Sequence, residues 1–549
     1  MDNRKYNIYF HTHTISGIII CALLYVIFFA GSFSFFKEEL SAWQKNTSYV
    51  KARKTISRDF DYVIDSLGKK NNLKGRDFDF FIQRNDIGAY VSVTASNDTT
   101  LKKKVKPQAA GETKKRRGRG RGGDDDSMYF IYNFSQQKAG DYQEAYDMGE
   151  FLYRLHFLAQ LNAVPIRLGA PFGYLLAGIV SFIFVFALIT GLMLHWEKIS
   201  SNFFTFRPWA KWKTLWTDLH TAIGVIGFPF QLVFAVTGVV LIANTFLIAP
   251  YTKYLYKGDS AALYHDLEYS DTTKYAYSYN PLKTTFGLNE LIVKTNKKWP
   301  NSRISNVTIK NYGDENMHVI LTAKPHATES FSGTGKMVYR VRDHKIIKEI
   351  SPEKGSTYID KVKSLIYHLH FGDFGGKPLR VIFFVLGIMG CLVIISGILI
   401  WLVARDKKNV PHHKRVFNFW TANIFLASCL SMLPVTALTM IGLLFIDKPN
   451  QADIYHIYFY SWLVLSIYFI ARKNLTITNH QTLVLSGILC FLLPLTDGLK
   501  RNNWFWNTFS DGRFDILFID VLFLILSILS FIILVKMRQH NNLKKSISS

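Results

Sequence analysis

Cysteine is scarce along these 549 residues: only Cys21, Cys391, Cys429 and Cys490 occur, each within a long apolar run. Thiols so placed exclude the disulfide framework of a small secreted scaffold. Acidic side chains are also few, 40 Asp and Glu against 65 Lys and Arg, leaving a formal net charge of +25. An excess of that sign suits nucleic acid or an anionic surface, so its distribution has to decide. One stretch, residues 118–123, reads Gly-Arg-Gly-Arg-Gly-Gly. No strand leads into it and no apolar helix follows, which excludes a dinucleotide-binding fingerprint.

Apolar sequence is plentiful, and it comes in blocks. Eight candidates for crossing a hydrocarbon core of roughly 30 Å are Thr14–Phe36, Phe172–Leu194, Thr221–Ile248, Val381–Ala404, Trp420–Ile446, Ile454–Ala471, Gln481–Leu495 and Ile516–Val535. The first four carry no Asp, Glu, Lys or Arg. The expected fold is therefore a polytopic α-helical membrane protein. Basic residues precede the first run, separate the second from the third, and follow the fourth, sixth and eighth. The positive-inside rule then puts both termini in the cytoplasm. Much of the excess charge marks topology, and nucleic-acid binding is the poorer explanation. The first run is read as an uncleaved anchor, being longer than a signal-peptide core with no clear A-x-A site after it.

The organisation expected is a first membrane helix within 1–36, an external module at 37–171, two helices within 172–248 and a second external module at 249–380. A fourth helix at 381–404 and a C-terminal four-helix membrane region at 405–549 complete it. Both external segments show a helix followed by strands. In the first, a helix over 57–70 precedes strands at Phe78–Arg84, Ala89–Thr94 and Met128–Phe134. They are interrupted by 102–126, a Lys-, Arg- and Gly-rich insertion read as disordered. In the second, a helix from Leu288 ends before Pro300, and strands follow at Arg303–Lys310, Met317–Ala323, Lys336–Arg342 and Lys345–Ile350. The same order occurs twice, as in a repeated α+β module.

Histidines gather at the ends of the runs. His13 opens the first, His195 closes the second, His220 opens the third, and His156 and His370 precede the second and fourth. Alternating helix direction assigns His13, His195 and His220 to the cytoplasmic edge, and His156 and His370 to the outer one. Ionisable groups near a bilayer are costly enough to suggest function. Two imidazoles from different helices at each edge are what bis-histidine haem ligation requires. No C-x-x-C-H motif occurs, so such a haem would be non-covalent. Gly17, Gly224, Gly372, Gly375 and Gly376 stand near these histidines and would allow close approach. Two other readings of the spacing stand beside this one: anchoring near lipid headgroups, and an ion path through His220, His370 and Asp520. His318, His326 and His344 fall among surface strands and His412 and His413 in a basic loop, all read as mostly solvated.

The stretches His13-Thr-Ile-Ser-Gly17, Leu155-His156-Phe-Leu158, Asp218-Leu-His220-Thr-Ala-Ile-Gly224 and Leu369-His370-Phe-Gly-Asp-Phe-Gly-Gly376 resemble signature segments of the PepSY-associated transmembrane helix family. Thr190-Gly191-Leu-Met-Leu-His195-Trp196 is similar to that family's end of helix two, where Trp often takes the place of His195. The external modules resemble its PepSY domains. The resemblance covers residues 1–405, and the last four runs match only the layout of longer members.

Members of the family include inner-membrane ferric-siderophore reductases with two haems b. The resemblance implies a cytoplasmic-side haem iron held by His13 and His220 and a periplasmic-side one held by His156 and His370. His11, His195 and His368 are reserves; His11 lies two residues from His13 and so on another helical face. It further implies a bacterial inner-membrane oxidoreductase that reduces a ferric siderophore or other ferric chelate in the periplasm and releases Fe(II). The cytoplasmic segments are too short for a βαβ nucleotide domain, so a membrane quinol or a separate reductase is the expected donor. The alternative is a non-catalytic PepSY membrane protein that binds or regulates a periplasmic partner without haem.

Overall fold

The computed structural model describes residues 2–55, 57–101, 127–166, 170–204, 207, 210–267, 273–327, 329–353 and 356–548. They form two compact units, one of Met1–Val50, Tyr146–Gly258 and Leu369–Ser549, the other of Lys51–Ala145 and Asp259–His368.

The first unit is helical. Among the described residues, eight helices have the length and apolarity to cross a membrane. They are span 1 (Asn3–Ser34), span 2 (Phe172–Ser201), span 3 (Trp212–Ile242), span 4 (Asp373–Arg405), span 5 (His412–Leu443), span 6 (Gln451–Arg472), span 7 (Leu475–Arg501) and span 8 (Phe514–Gln539). The chain is thus a polytopic helical membrane protein. Span 2 shows the expected lipid-facing stripe, with Ile179, Phe182, Phe186 and Ile189 exposed at helical spacing.

Spans 1 and 3 begin earlier than the hydropathy pattern indicates. Tyr6, Phe10, Trp212 and Trp216 occupy the added turns, stacking in pairs at 6.1 and 5.6 Å. Such amphipathic aromatics suit a membrane interface. His13 and His220 consequently sit within helices and do not open them. Spans 1 to 4 pack as a ring, each against the next and span 4 back against span 1. Spans 1 and 3 are therefore diagonal partners.

The second unit is an α+β fold around one antiparallel sheet. Its strands are β1 (Phe78–Ile82), β2 (Gly88–Val93), β3 (Met128–Asn133), β4 (Lys138–Gly140), β5 (Ser302–Lys310), β6 (His318–Pro325), β7 (Gly335–Arg340) and β8 (Lys345–Ile350). The order is β4-β3-β2-β1-β5-β6-β7-β8. The two expected modules are joined edge to edge through β1 and β5, with Phe80 opposite Val307. Alternation explains the pairing: Phe78, Phe80 and Ile82 face inward with Val307, Ile309, Val319, Leu321 and Met337, and form one core. The helices Phe60–Gly68 and Leu288–Lys298 cap each other. Asp61 accepts from the Leu288 and Asn289 backbone N–H groups at 2.7 and 3.0 Å, and Asn289 accepts from the Phe60 N–H at 2.9 Å. Since β1 and β5 share a sheet, the segments carrying them lie on one side of the membrane, with spans 2 and 3 as the two crossings between.

The insertion at 102–126 lies outside the described residues. His318 departs from expectation: it is buried against Tyr275, ring centres 4.4 Å apart, because β6 is an interior strand of the joint sheet. His326 and His344 are exposed as expected. The chain from Tyr142 to Ala163 forms three short helical pieces. Asp147 caps a separate helix, Met148–His156, by accepting from the Glu150 N–H at 2.9 Å, and Leu158 turns the chain at φ 55°.

Candidate functional site

Four imidazoles meet in two pairs. His13 of span 1 and His220 of span 3 reach across the diagonal of the ring, their ring centres 6.1 Å apart at 70°. His156 closes the helix Met148–His156, His370 lies near the end of the helix Tyr358–Phe371, and their ring centres stand 5.8 Å apart at 39°. On span 1, His13 and the Ile27 carbonyl that receives His156 are about four turns apart, roughly 20 Å along the axis. One pair thus serves each half of the bundle.

The second nitrogen of each ring is fixed. His13 donates from Nδ1 to the Ala187 carbonyl at 2.9 Å, His220 to Val393 at 2.9 Å, and His156 to Ile27 at 2.8 Å. A carbonyl only accepts, so in these three rings Nδ1 carries the proton and Nε2 keeps a lone pair. His370 reaches the Thr237 hydroxyl at 2.8 Å. That hydroxyl donates to the Val233 carbonyl at 2.5 Å, so it accepts from His370 and the same tautomer follows. No Nε2 of the four bonds another described residue. Desolvation pushes the His156 and His370 imidazoles below their ordinary range, for His370 with His156 adding to it, so both are neutral donors near pH 7.

Each ring stands against a glycine of a neighbouring helix. A methyl group on Gly31 would overlap His156, and one on Gly191 would come within 3.0 Å of His13. Gly397 stands close to His220, at 3.2 Å, and Gly238 is in ordinary contact with His370, at 3.9 Å. In three cases the glycine sits one turn after the accepting carbonyl: Ile27 and Gly31, Ala187 and Gly191, Val393 and Gly397. These glycines escaped the sequence reading because they neighbour their histidines in space and not in sequence. Gly372, Gly375 and Gly376 have another role. They shape the turn before span 4, with Gly372 and Gly376 at positive φ, where Cβ is disfavoured. Gly17 and Gly224 do leave room: a Cβ on either meets nothing within 4 Å, one turn beyond His13 and His220 on the same helical face.

The arrangement repeats internally. The histidine of span 1 rests on span 2, and that of span 3 on span 4. The histidine preceding span 2 rests on span 1, and the one preceding span 4 on span 3. The duplication of the external strands therefore continues through the membrane helices. It breaks at one position: Thr237, before Gly238, stands where Ala30 precedes Gly31.

Each of the four histidines keeps some accessible surface, and open space adjoins the first pair at Gly17 and Gly224. Among the reserves, His195 closes the helix of span 2, one turn beyond the Gly191 on which His13 rests. His11 is exposed, and His368 stacks on Phe331 at 5.2 Å in the other unit. Among the described residues, no group of three or more His, Cys, Asp or Glu is arranged to hold a metal ion. The site consists of paired imidazoles alone.

A search of the curated proteins finds no match to the chain. The family model described as PepSY-associated TM region matches residues 10–404, a stretch that includes both histidine pairs, their glycine rests and every strand of the external sheet. The chain belongs to the PepSY-associated TM region family.

Proposed function

We propose that this protein carries two haems b and passes electrons across the bacterial inner membrane to a ferric siderophore or other ferric chelate in the periplasm. The carrying observation is the spacing of the histidine pairs. Two imidazoles that share one metal ion through bonds of about 2 Å would have ring centres no more than roughly 6 Å apart. The observed separations are 6.1 and 5.8 Å. Two imidazoles without further protein ligands also suit an iron whose remaining positions a macrocycle fills.

His13 and His220 would hold the haem on the cytoplasmic side, and His156 and His370 the one on the periplasmic side. When bound, haem supplies one-electron chemistry. The chain's own residues do the rest. Ala187, Val393, Ile27 and Thr237 hold the Nδ1 protons and keep Nε2 directed as a donor. Gly31 and Gly191 fix how closely each ring approaches its neighbour helix. The apolar ring of spans excludes water between the pairs. Reduction of a ferric chelate weakens its hold on iron, because Fe(II) binds hard oxygen ligands less tightly. A membrane quinol or a separate reductase supplies the electrons.

The test is an absorption spectrum of the full chain, expressed with adequate haem and reduced with dithionite. Two haems b per chain are expected, and alanine at His13, His156, His220 or His370 should each remove about one. A wild-type protein without Soret and α bands would sink this reading in favour of a haem-free PepSY protein.

A further inference from the structure

We infer that three of the C-terminal spans, 6, 7 and 8, which lie beyond the family match, position the periplasmic-side pair by holding the helix that ends in His156. This rests on the haem reading for its significance, though not for its geometry. The short helix Lys37–Gln44 is the intermediary. On one side it is bound by spans 7 and 8: the fully buried Trp43 donates from Nε1 to Asp520 at 2.8 Å. Arg501 donates to the Trp43 and Gln44 carbonyls at 2.9 and 3.0 Å. Asp515 holds the next turn, accepting from the Ser48 hydroxyl and the Tyr49 N–H at 2.6 Å each.

On its other side the same helix grips Met148–His156. The Gln44 side chain accepts from the Met148 N–H at 2.7 Å, Ser41 donates to Asp147 at 2.7 Å, and Lys37 pairs with Glu150. A methyl group on Gly149 would overlap the Lys37 carbonyl, so the two backbones are in direct contact. Span 6 adds a second hold. Phe151 packs against Tyr458 at 4.6 Å and against Tyr455 and Phe459 at 5.8 Å each. Phe151 and His156 share one short helix, so a displacement of one end carries the other. The rings of the first pair, His13 and His220, are bonded instead to spans 2 and 4. Asp520, weighed above as part of an ion path, is instead committed to Trp43.

The experiment compares the full-length protein with Asp520→Leu, which removes the acceptor, and Asp520→Asn, which keeps one. Low-spin haem signals are read by electron paramagnetic resonance, and amide exchange over residues 148–156 by mass spectrometry. Asp520→Leu should shift the signal of the centre that His156→Ala abolishes, leave the other in place, and speed exchange over 148–156 about tenfold. Asp520→Asn should restore both. If Asp520→Leu does not accumulate, Trp43→Phe removes the same hydrogen bond and is read in the same way. Unchanged exchange and unchanged signals would overturn the inference, as would equal disturbance of both centres. A wild-type protein without haem would defeat the functional reading alone, and the exchange arm would still decide this one.

Discussion

His370 donates from Nδ1 to the Thr237 hydroxyl across 2.8 Å, where its counterpart in the internal repeat, His156, meets a backbone carbonyl. Hydrogen bonding to Nδ1 raises the basicity of an imidazole ligand and favours the oxidised metal. Thr237→Val keeps the shape and removes the acceptor, leaving a buried N–H unpaired at a cost of about 1–3 kcal/mol. In a redox titration the periplasmic-side centre should rise by on the order of 50 mV, near the one-electron equivalent of a tenfold change. The other centre should stay in place. A downward shift, or a shift of both, would contradict the role given to this hydroxyl.

The glycine rests separate the two centres by substitution. Gly31→Ala drives a methyl into His156, and Gly191→Ala presses on His13. Overpacking of this kind costs about 1–3 kcal/mol. Haem content per chain should fall from two to about one in each, with loss of the periplasmic-side centre in the first and the cytoplasmic-side centre in the second. Full content in both would show that the rings have freedom the packing denies.

Gly17→Leu and Gly224→Leu probe the open space beside the first pair. Neither substitution meets protein at its Cβ, so the fold should tolerate both. Loss of the cytoplasmic-side haem with unchanged thermal stability of the haem-free protein is the expected result. Retention of that haem in both variants would place the macrocycle elsewhere.

Burial alone would raise the Glu150 carboxyl, but Lys37 and Arg154 outweigh it and hold the group down at about 2. A depressed carboxylate contributes stability above its unfolded value, near 4.5, and that contribution is lost as pH falls towards 2. Haem retention at the periplasmic-side centre should therefore decline over this window. Glu150→Gln should flatten the profile and lower stability at pH 7 by on the order of 2–3 kcal/mol. An unchanged acid profile in the variant would remove Glu150 from the hold on this helix.

His195, His11 and His368 are expected to be dispensable as ligands. Alanine at each should leave two haems per chain by spectroscopic count. A missing haem in His195→Ala would promote that residue, which lies one turn beyond the glycine under His13, over His13 or His220.

Much of this was legible in the sequence, for definite reasons. Uncharged apolar runs announce membrane helices whatever they pack against, and all eight were visible. The strands Ser302–Lys310 and Lys345–Ile350 were found within a residue because alternation is a local signal. The histidines stood out because imidazole is rare and costly at membrane depth. The pairing of β1 with β5 did not show, since nothing local records which edges meet across more than two hundred residues. Gly31, Gly191, Gly238 and Gly397 were invisible for the same reason: each serves a ring from another helix. The helix Lys37–Gln44 was passed over because it is short and charged at its start, although it joins spans 7 and 8 to the helix Met148–His156.

That shared sheet also bears on how the molecule is made. β1 is synthesised first, and its bonding edge stays open while spans 2 and 3 follow it in the chain. An open strand edge is a template for unwanted pairing. It is covered only when β5 arrives on the same side, which requires both intervening spans to have crossed in the right sense. A chain that inserts span 3 backwards would leave half a sheet with an exposed edge. Completion of the sheet thereby depends on the correct threading of the helices.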